Sequence, residues 1–359
     1  MSELQFVFCH GLSGWGEYDR KYKKNPYWGM KTGDILTKLR DAGYRCCGAS
    51  VSPTGSAWDR ACELYAQLAG TKVDYGRAHS MKNNHERYGT DYTGSPLIKT
   101  FNDDTRIVLI GHSFGGATIR LLGQLMADGD EEERKATHPL DLSPLFKGGM
   151  EKRIFAVVTI AAPTNGTVSY DMHKDPNFDT SKVGLPFKYE MLAAVMRMFT
   201  KMKTDGRNEN DYANYDMEID HAIALNERIR ILPDTYYFSQ PCISTVVKED
   251  GTSFPDLEIT EAMFARSSVL MGKYKGVTAG GTAVDESWQP NDGLVNTLSA
   301  RAPLDAPQKE FDPDHIEKGI WNVFPDYRGD HSSLQGGYTI NRDPYLFYEN
   351  LLGMISGLE

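Results

Sequence analysis

In Arg106-Ile107-Val108-Leu109-Ile110-Gly111-His112-Ser113-Phe114-Gly115, an apolar, β-branched run ends in G-x-S-x-G, and Ala117-Thr118-Ile119-Arg120-Leu121-Leu122 carries the chain on in a helical pattern. Strand, tight turn, helix is the layout of a nucleophile elbow. The serine sits at the tip of the turn, where flanking glycines allow strained backbone angles and close packing of the helix. Its hydroxyl would face a substrate, and the helix N-terminus would lend its dipole to negative charge forming there.

Outward from this segment the same alternation continues. Strands are predicted at 4–9, 44–51, 105–110, 154–160, 235–240 and 294–298, with helical patterns at about 30–42, 58–68, 115–127, 219–231 and 344–357. Alternating β and α predicts a mostly parallel central sheet covered by helices on both faces, an α/β architecture. The composition shifts at about 71–104 and again at about 167–217, and both segments read as insertions on one domain spanning 1–359.

A net charge of −10 argues against nucleic acid or an anionic membrane as partner, so a neutral substrate fits better. No stretch reaches the about 18 uninterrupted apolar residues of a membrane span. Met1-Ser2-Glu3 leads directly into an apolar run without the basic region of a signal peptide, which reads as a cytoplasmic protein, with a mature secreted domain as the alternative. The five cysteines, Cys9, Cys46, Cys47, Cys62 and Cys242, lack metal-site spacing and read as buried small hydrophobes.

A serine nucleophile needs a base, and the base needs an acid to orient it; on an α/β sheet they follow in the order Ser, Asp, His. His331, in a glycine-containing loop before the last helical pattern, is the candidate base, whereas His315 sits among acidic residues in a solvated turn. Asp292, in Gln289-Pro290-Asn291-Asp292-Gly293-Leu294-Val295, is the candidate acid; Asp326 and Asp330 lie too near His331 in sequence to approach it from behind. The oxyanion of an acyl-transfer intermediate requires backbone N–H donors, and Phe114 and Leu12 supply candidates, the latter in the glycine-rich loop after the first strand.

These residues together carry a family resemblance. His10-Gly11-Leu12-Ser13-Gly14-Trp15-Gly16, Trp58-Asp59-Arg60-Ala61-Cys62-Glu63, Val73-Asp74-Tyr75-Gly76 through His79 and His85, the elbow, Asn291-Asp292-Gly293-Leu294-Val295-Asn296-Thr297 and Asp330-His331 resemble the zinc-containing bacterial true lipases, the staphylococcal and thermoalkalophilic Bacillus lipases. The resemblance implies an α/β-hydrolase fold, triacylglycerol lipase or carboxylesterase activity, and a triad of Ser113, Asp292 and His331.

It also implies a structural zinc ion held by Asp59, His79, His85 and Asp216, placed by the first insertion. Read without the resemblance, His79 and His85 are six residues apart, share no helical face and look like surface histidines. Relatives bind calcium after the catalytic histidine, but Ser332-Ser333-Leu334-Gln335-Gly336-Gly337-Tyr338 offers no carboxylate, so that site is expected to be absent. Leu185, Tyr189, Leu192, Met196, Phe199 and Met202 form one apolar stripe at helical spacing, the pattern of a lid helix in transient contact with a lipid interface. The expected activity is hydrolysis of neutral fatty-acyl esters. The alternatives are a short-chain carboxylesterase, an acyltransferase or phospholipase on the same triad, and a non-catalytic lipid-binding module.

Overall fold

Residues on alternate sides of successive strands build two apolar layers. Val7, Cys9, Ile107 and Leu109 join one core, and Phe6, Phe8, Val108 and Ile110 join the other. With both faces covered, Ile107–His112 is buried at every position, which explains why Ile107-Val108-Leu109-Ile110 is continuously apolar instead of alternating.

The computed structural model describes residues 4–181, 183–186, 206–337, 340 and 342–358. Its central sheet contains β1 (Gln5–Cys9), β2 (Cys46–Ala49), β3 (Ile107–His112), β4 (Ile154–Ile160), β5 (Tyr236–Gln240), β6 (Gln308–Glu310) and β7 (Trp321–Val323). These seven strands run in the order β6-β7-β5-β4-β3-β1-β2, every pairing parallel. On one face pack α2 (Ala57–Ala69) and α4 (Gly115–Asp128); on the other pack α1 (Ile35–Asp41) and α7 (Tyr345–Ser356). Between α2 and β3, an antiparallel pair, Lys72–Asp74 with Tyr88–Asp91, brackets α3 (Arg77–Asn83). A third, smaller apolar cluster joins α5 (Ile219–Glu227) to α6 (Ala262–Met271) through Ile219, Val269 and Leu270.

Two expectations about the sheet change. The segment 294–298 is not a strand: Asp292 Oδ1 accepts the N–H groups of Leu294 and Val295, closing a turn, and a short helix begins at Thr297. The sheet is completed instead by β6 and β7, three residues each. The apolar stripe expected to form a lid lies, apart from Leu185, outside the described residues. All five cysteines are buried and free, and burial pushes the Cys46 thiol up to about 12. No helix among the described residues is long and apolar enough to cross a membrane.

Candidate active site

β3 ends at His112 and α4 begins at Gly115, which leaves Ser113 at the tip of the connection with φ +55°. Such a left-handed angle in a non-glycine residue costs of order 1–3 kcal/mol and persists only where the surroundings enforce it. Ser113 N–H donates to Ile160 of β4 at 2.9 Å, and a Cβ on Gly115 would fall 2.3 Å from the Cys9 carbonyl oxygen of β1. The turn is therefore clamped between two neighbouring strands, and only glycine lets α4 start so close to the sheet.

Ser113 borders a cavity of about 620 Å³ lined by apolar side chains that include Met217, Phe264, Leu270, Leu294 and Val295. His331 Nε2 lies 2.8 Å from Ser113 Oγ, and His331 Nδ1 lies 2.8 Å from Asp292 Oδ2. A carboxylate can only accept, so Nδ1 carries the ring hydrogen and Nε2 is left to accept from the serine hydroxyl. Asp292 is buried, and its other oxygen is occupied by the turn at Leu294 and Val295, which fixes the carboxylate plane. Asp330 secures the base from the opposite side. Its Oδ1 accepts from Ser332 N–H and from the Ser332 and Ser333 hydroxyls, and its Oδ2 accepts Glu261 N–H at 2.7 Å, at the start of α6.

The backbone N–H groups of Leu12 and Phe114 are not engaged by any described residue. Phe114 occupies the N-cap of α4 and makes no side-chain cap; Gly116 N–H is taken by the Ser113 carbonyl at 2.9 Å, but the Phe114 N–H remains available to an anionic group beside Ser113. The loop carrying Leu12 approaches Ser113 closely: a Cβ on Gly11 would meet Ser113 Cβ at 2.6 Å.

A second polar chain ties that loop to the base. His112 Nε2 is 2.8 Å from the His331 carbonyl oxygen, so it must be the donor; His112 Nδ1 then accepts from the Tyr27 hydroxyl at 2.7 Å, and the Tyr27 oxygen accepts Gly11 N–H at 3.1 Å. Burial lowers the His112 pKa to about 3, which keeps the ring neutral and this tautomer fixed.

On the far side of α2, Asp59, His79, His85 and Asp211 bring one ligand atom each within 4.8 Å of one another. Asp59 projects from the first turn of α2. His79 lies on α3, whose N-terminus is capped from outside by Glu133, the acceptor for Ala78 N–H at 3.0 Å and His79 N–H at 2.7 Å. Asn84, with φ +57°, ends α3 and turns the chain so that His85 faces back toward His79. The reading of these two as surface histidines is thereby overturned, because a left-handed residue between them cancels their helical phase difference.

His85 Nδ1 donates to the Glu86 carbonyl at 2.8 Å, leaving Nε2 with a free lone pair. His85 Nε2 and Asp211 Oδ2 are both buried without hydrogen-bond partners although they lie 3.3 Å apart, because an unprotonated ring nitrogen and a carboxylate oxygen can both only accept. Two orphaned ligand atoms converging on one point are what a metal ion would satisfy. Without an ion, burial opposes charge on His79, but hydrogen bonds to Asp211 and Asp59 outweigh it and raise the imidazole to about 9. Arg207 Nη1 also reaches Asp59 Oδ2, at 2.7 Å.

The family model described as lipase-like, C-terminal domain matches residues 3–182 and 193–341. The chain belongs to this family. Its curated relatives include the lipase of Staphylococcus hyicus, 34% identical over 94% of this chain and 54% of that protein, and Lipase 2 of Staphylococcus aureus, 30% identical over 94% of this chain and 51% of that protein. The chain thus spans about half the length of the curated relatives it matches. The structure of EstA from Clostridium botulinum superposes with a TM-score of 0.84 at 30% identity, covering 99% of this chain and 87% of that one. The crystal structure of the Staphylococcus hyicus lipase gives 0.81 at 28%, covering 99% and 96%. The resemblance to staphylococcal lipases and the α/β-hydrolase fold expected from it hold.

Among the residues expected to form the lipase family's two sites, Ser113, Asp292 and His331 come together, as do Asp59, His79 and His85. Asp216 does not join them. It is five residues from Asp211 in sequence, but its Oδ2 accepts Ala57 N–H at 2.7 Å and so caps α2, while Asp211 points into the cluster. Burial, partly offset by that N–H, pushes the Asp216 carboxyl up to about 7. Tyr27 was not foreseen, since Asn25-Pro26-Tyr27-Trp28 carries no motif.

Proposed function

We propose that this chain hydrolyses neutral fatty-acyl esters through an acyl-enzyme on Ser113. The observation that carries the reading is the unbroken line from Asp292 Oδ2 through His331 to Ser113 Oγ, opening beneath an apolar cavity. In this reading His331 Nε2 takes the Ser113 proton as the oxygen attacks the ester carbonyl, and the Leu12 and Phe114 N–H groups receive the developing oxyanion. Asp292 stabilises the imidazolium without taking its proton. His331 then delivers the proton to the departing alcohol, and a water activated by the same nitrogen releases the acid. The family membership and the apolar lining support an ester of long-chain lipid over a small polar ester.

Asp59, His79, His85 and Asp211 would hold a zinc ion. Two imidazoles and two carboxylates suit that metal, and four protein ligands would make it a structural link between α2, α3 and the 208–211 turn. The stripe from Leu185 to Met202 is proposed as a lid over the cavity. A rate that rises hyperbolically through the critical micelle concentration, with no increase at the interface, would exclude this.

The deciding experiment is hydrolysis of acyl esters from short to long, including emulsified triacylglycerol, by wild type and Ser113→Ala. Long-chain and emulsion activity lost in the variant is the expected result. Activity limited to short soluble esters would make the protein a carboxylesterase, and activity retained by Ser113→Ala would overturn the assignment of the nucleophile.

A further inference from the structure

Arg60 on α2 is fully buried, and its three guanidinium nitrogens reach acceptors on three different segments. Nε donates to the Thr118 hydroxyl of α4 at 2.8 Å, Nη1 to the Ser52 carbonyl at 2.7 Å, and Nη2 to the His10 carbonyl. The guanidinium also lies over the buried Phe114 ring, 5.1 Å from its centre. All three acceptors are neutral. Burying a cation on neutral acceptors is a poor way to gain stability, since an apolar side chain of similar volume fills a core as well.

The segments that Arg60 joins are those that carry the two candidate oxyanion donors. Phe114 supplies one N–H, and His10 opens the loop that supplies the other at Leu12. That loop is fastened on both sides of Leu12. Burial, with the nearby Arg60 charge, lowers the His10 pKa to about 3, so the ring is neutral; its Nδ1 donates to the Gly11 carbonyl at 2.8 Å and its Nε2 accepts Val51 N–H at 3.3 Å. Beyond Leu12, Ser13 takes φ +58° and donates its N–H to the Pro53 carbonyl at 2.8 Å. Pro53 directly follows Ser52, whose carbonyl Arg60 holds. One side chain therefore braces the start of the loop, the support under its far end, and the first turn of the elbow helix.

We propose that Arg60 is a positioning residue for ester hydrolysis, its guanidinium setting the separation between the Leu12 and Phe114 N–H groups. The role rests on the reading of those two groups as the oxyanion donors. A guanidinium holds its N–H bonds in one rigid plane, so acceptors on three segments are kept at fixed spacings; a lysine ammonium is a single point of charge and cannot replace it. The donors act mainly once the ester oxygen has become an oxyanion, so a small displacement lowers kcat and leaves KM alone.

The test compares wild type with Arg60→Met, Arg60→Lys and the milder Thr118→Val, which keeps the cation and removes one anchor. On a soluble ester, kcat is expressed per active site, counted by complete reaction with a fluorophosphonate. The second readout is affinity for an alkylboronic acid, whose adduct on Ser113 places an oxygen where the oxyanion forms. We expect kcat per site to fall roughly 10- to 100-fold in both Arg60 variants and about 2- to 5-fold in Thr118→Val, at constant KM, with boronic-acid affinity falling in parallel with kcat/KM. A residue that only stabilises the fold would lower the melting temperature and the count of active sites but leave kcat per site and boronic-acid affinity at wild-type values; that result overturns the proposal, as does full activity in Arg60→Lys. If the Arg60 variants do not fold, Thr118→Val decides by the same two readouts. A wild type that forms no boronate adduct would overturn the ester-hydrolase reading and this role together, whereas a wild-type adduct with equal affinity in the variants overturns the role alone.

Discussion

Asp292 holds His331 at two points: its Oδ2 lies 2.8 Å from His331 Nδ1, and its carbonyl accepts the His331 backbone N–H at 2.9 Å. The backbone bond survives a change of side chain, so a variant can disturb the ring while leaving the loop in place. In Asp292→Asn, the amide oxygen keeps the Leu294 and Val295 N–H bonds, and the NH₂ group then faces His331. Nδ1 is forced to accept, the hydrogen moves to Nε2, and the base is blocked. We expect kcat to fall by about 10⁴ with KM little changed, by analogy with the same substitution in other serine hydrolases; steady-state kinetics on a soluble ester would check this. A loss under tenfold would refute the orienting role.

Tyr27→Phe removes one hydroxyl that serves two partners, Gly11 N–H and His112 Nδ1. Leaving both unpaired should cost about 1–2 kcal/mol. If that strain falls on the oxyanion loop, kcat drops about 5- to 30-fold at constant KM. Because burial holds His112 neutral near and above pH 4, the pH profile of kcat/KM should keep its shape. A shifted profile would mean that the hydroxyl acts on the base directly.

Metal analysis separates two aspartates. Asp211→Ala should purify with less than one zinc per chain and melt lower, and chelation should bring wild type to the same state reversibly. Asp216→Ala should keep the metal and lose about 1 kcal/mol, since it removes only a cap at α2. Loss of zinc from Asp216→Ala with retention in Asp211→Ala would reverse the assignment.

Glu63 is fully enclosed. Burial raises its pKa from 4.5 to about 7 despite hydrogen bonds from Ser52 N–H and the Tyr75 hydroxyl. The folded state therefore binds a proton that the unfolded chain has released between those values. Stability from this group is complete below pH 4.5 and lost as pH rises through 7. Glu63→Gln stays neutral throughout, so between pH 5 and pH 8 wild type should lose about 2 kcal/mol more than the variant in denaturant unfolding. Parallel pH curves would contradict this.

The sequence made the elbow and the triad legible because chemistry restricts them to rare patterns: glycines on both sides of Ser113, and a histidine in the glycine-containing loop just before the last helix. The candidate metal cluster was harder to read. Glu209, Asp211, Asp216 and Glu218 are all acidic within ten positions, and the choice among them depends on how one short turn meets α2, which no local periodicity encodes. The last two strands were missed for a related reason. Gln308-Lys309-Glu310 is polar because a sheet edge is half solvated, and Leu294-Val295 looks like a strand from its apolar side chains, yet its backbone is claimed by the Asp292 side chain instead of a neighbouring strand.

The oxyanion loop leaves β1 and the elbow leaves β3, and these strands pair with Cys9 opposite Gly111. Slipping that pairing by one residue would displace Leu12 from Ser113 by about 3.3 Å and reverse the faces of a whole strand. Molecules with those two strands misaligned would be folded yet silent. Specific activity in a refolded sample would therefore count the fraction of chains that found the correct alignment, and would give a gauge of assembly fidelity that bulk secondary-structure measurements do not offer.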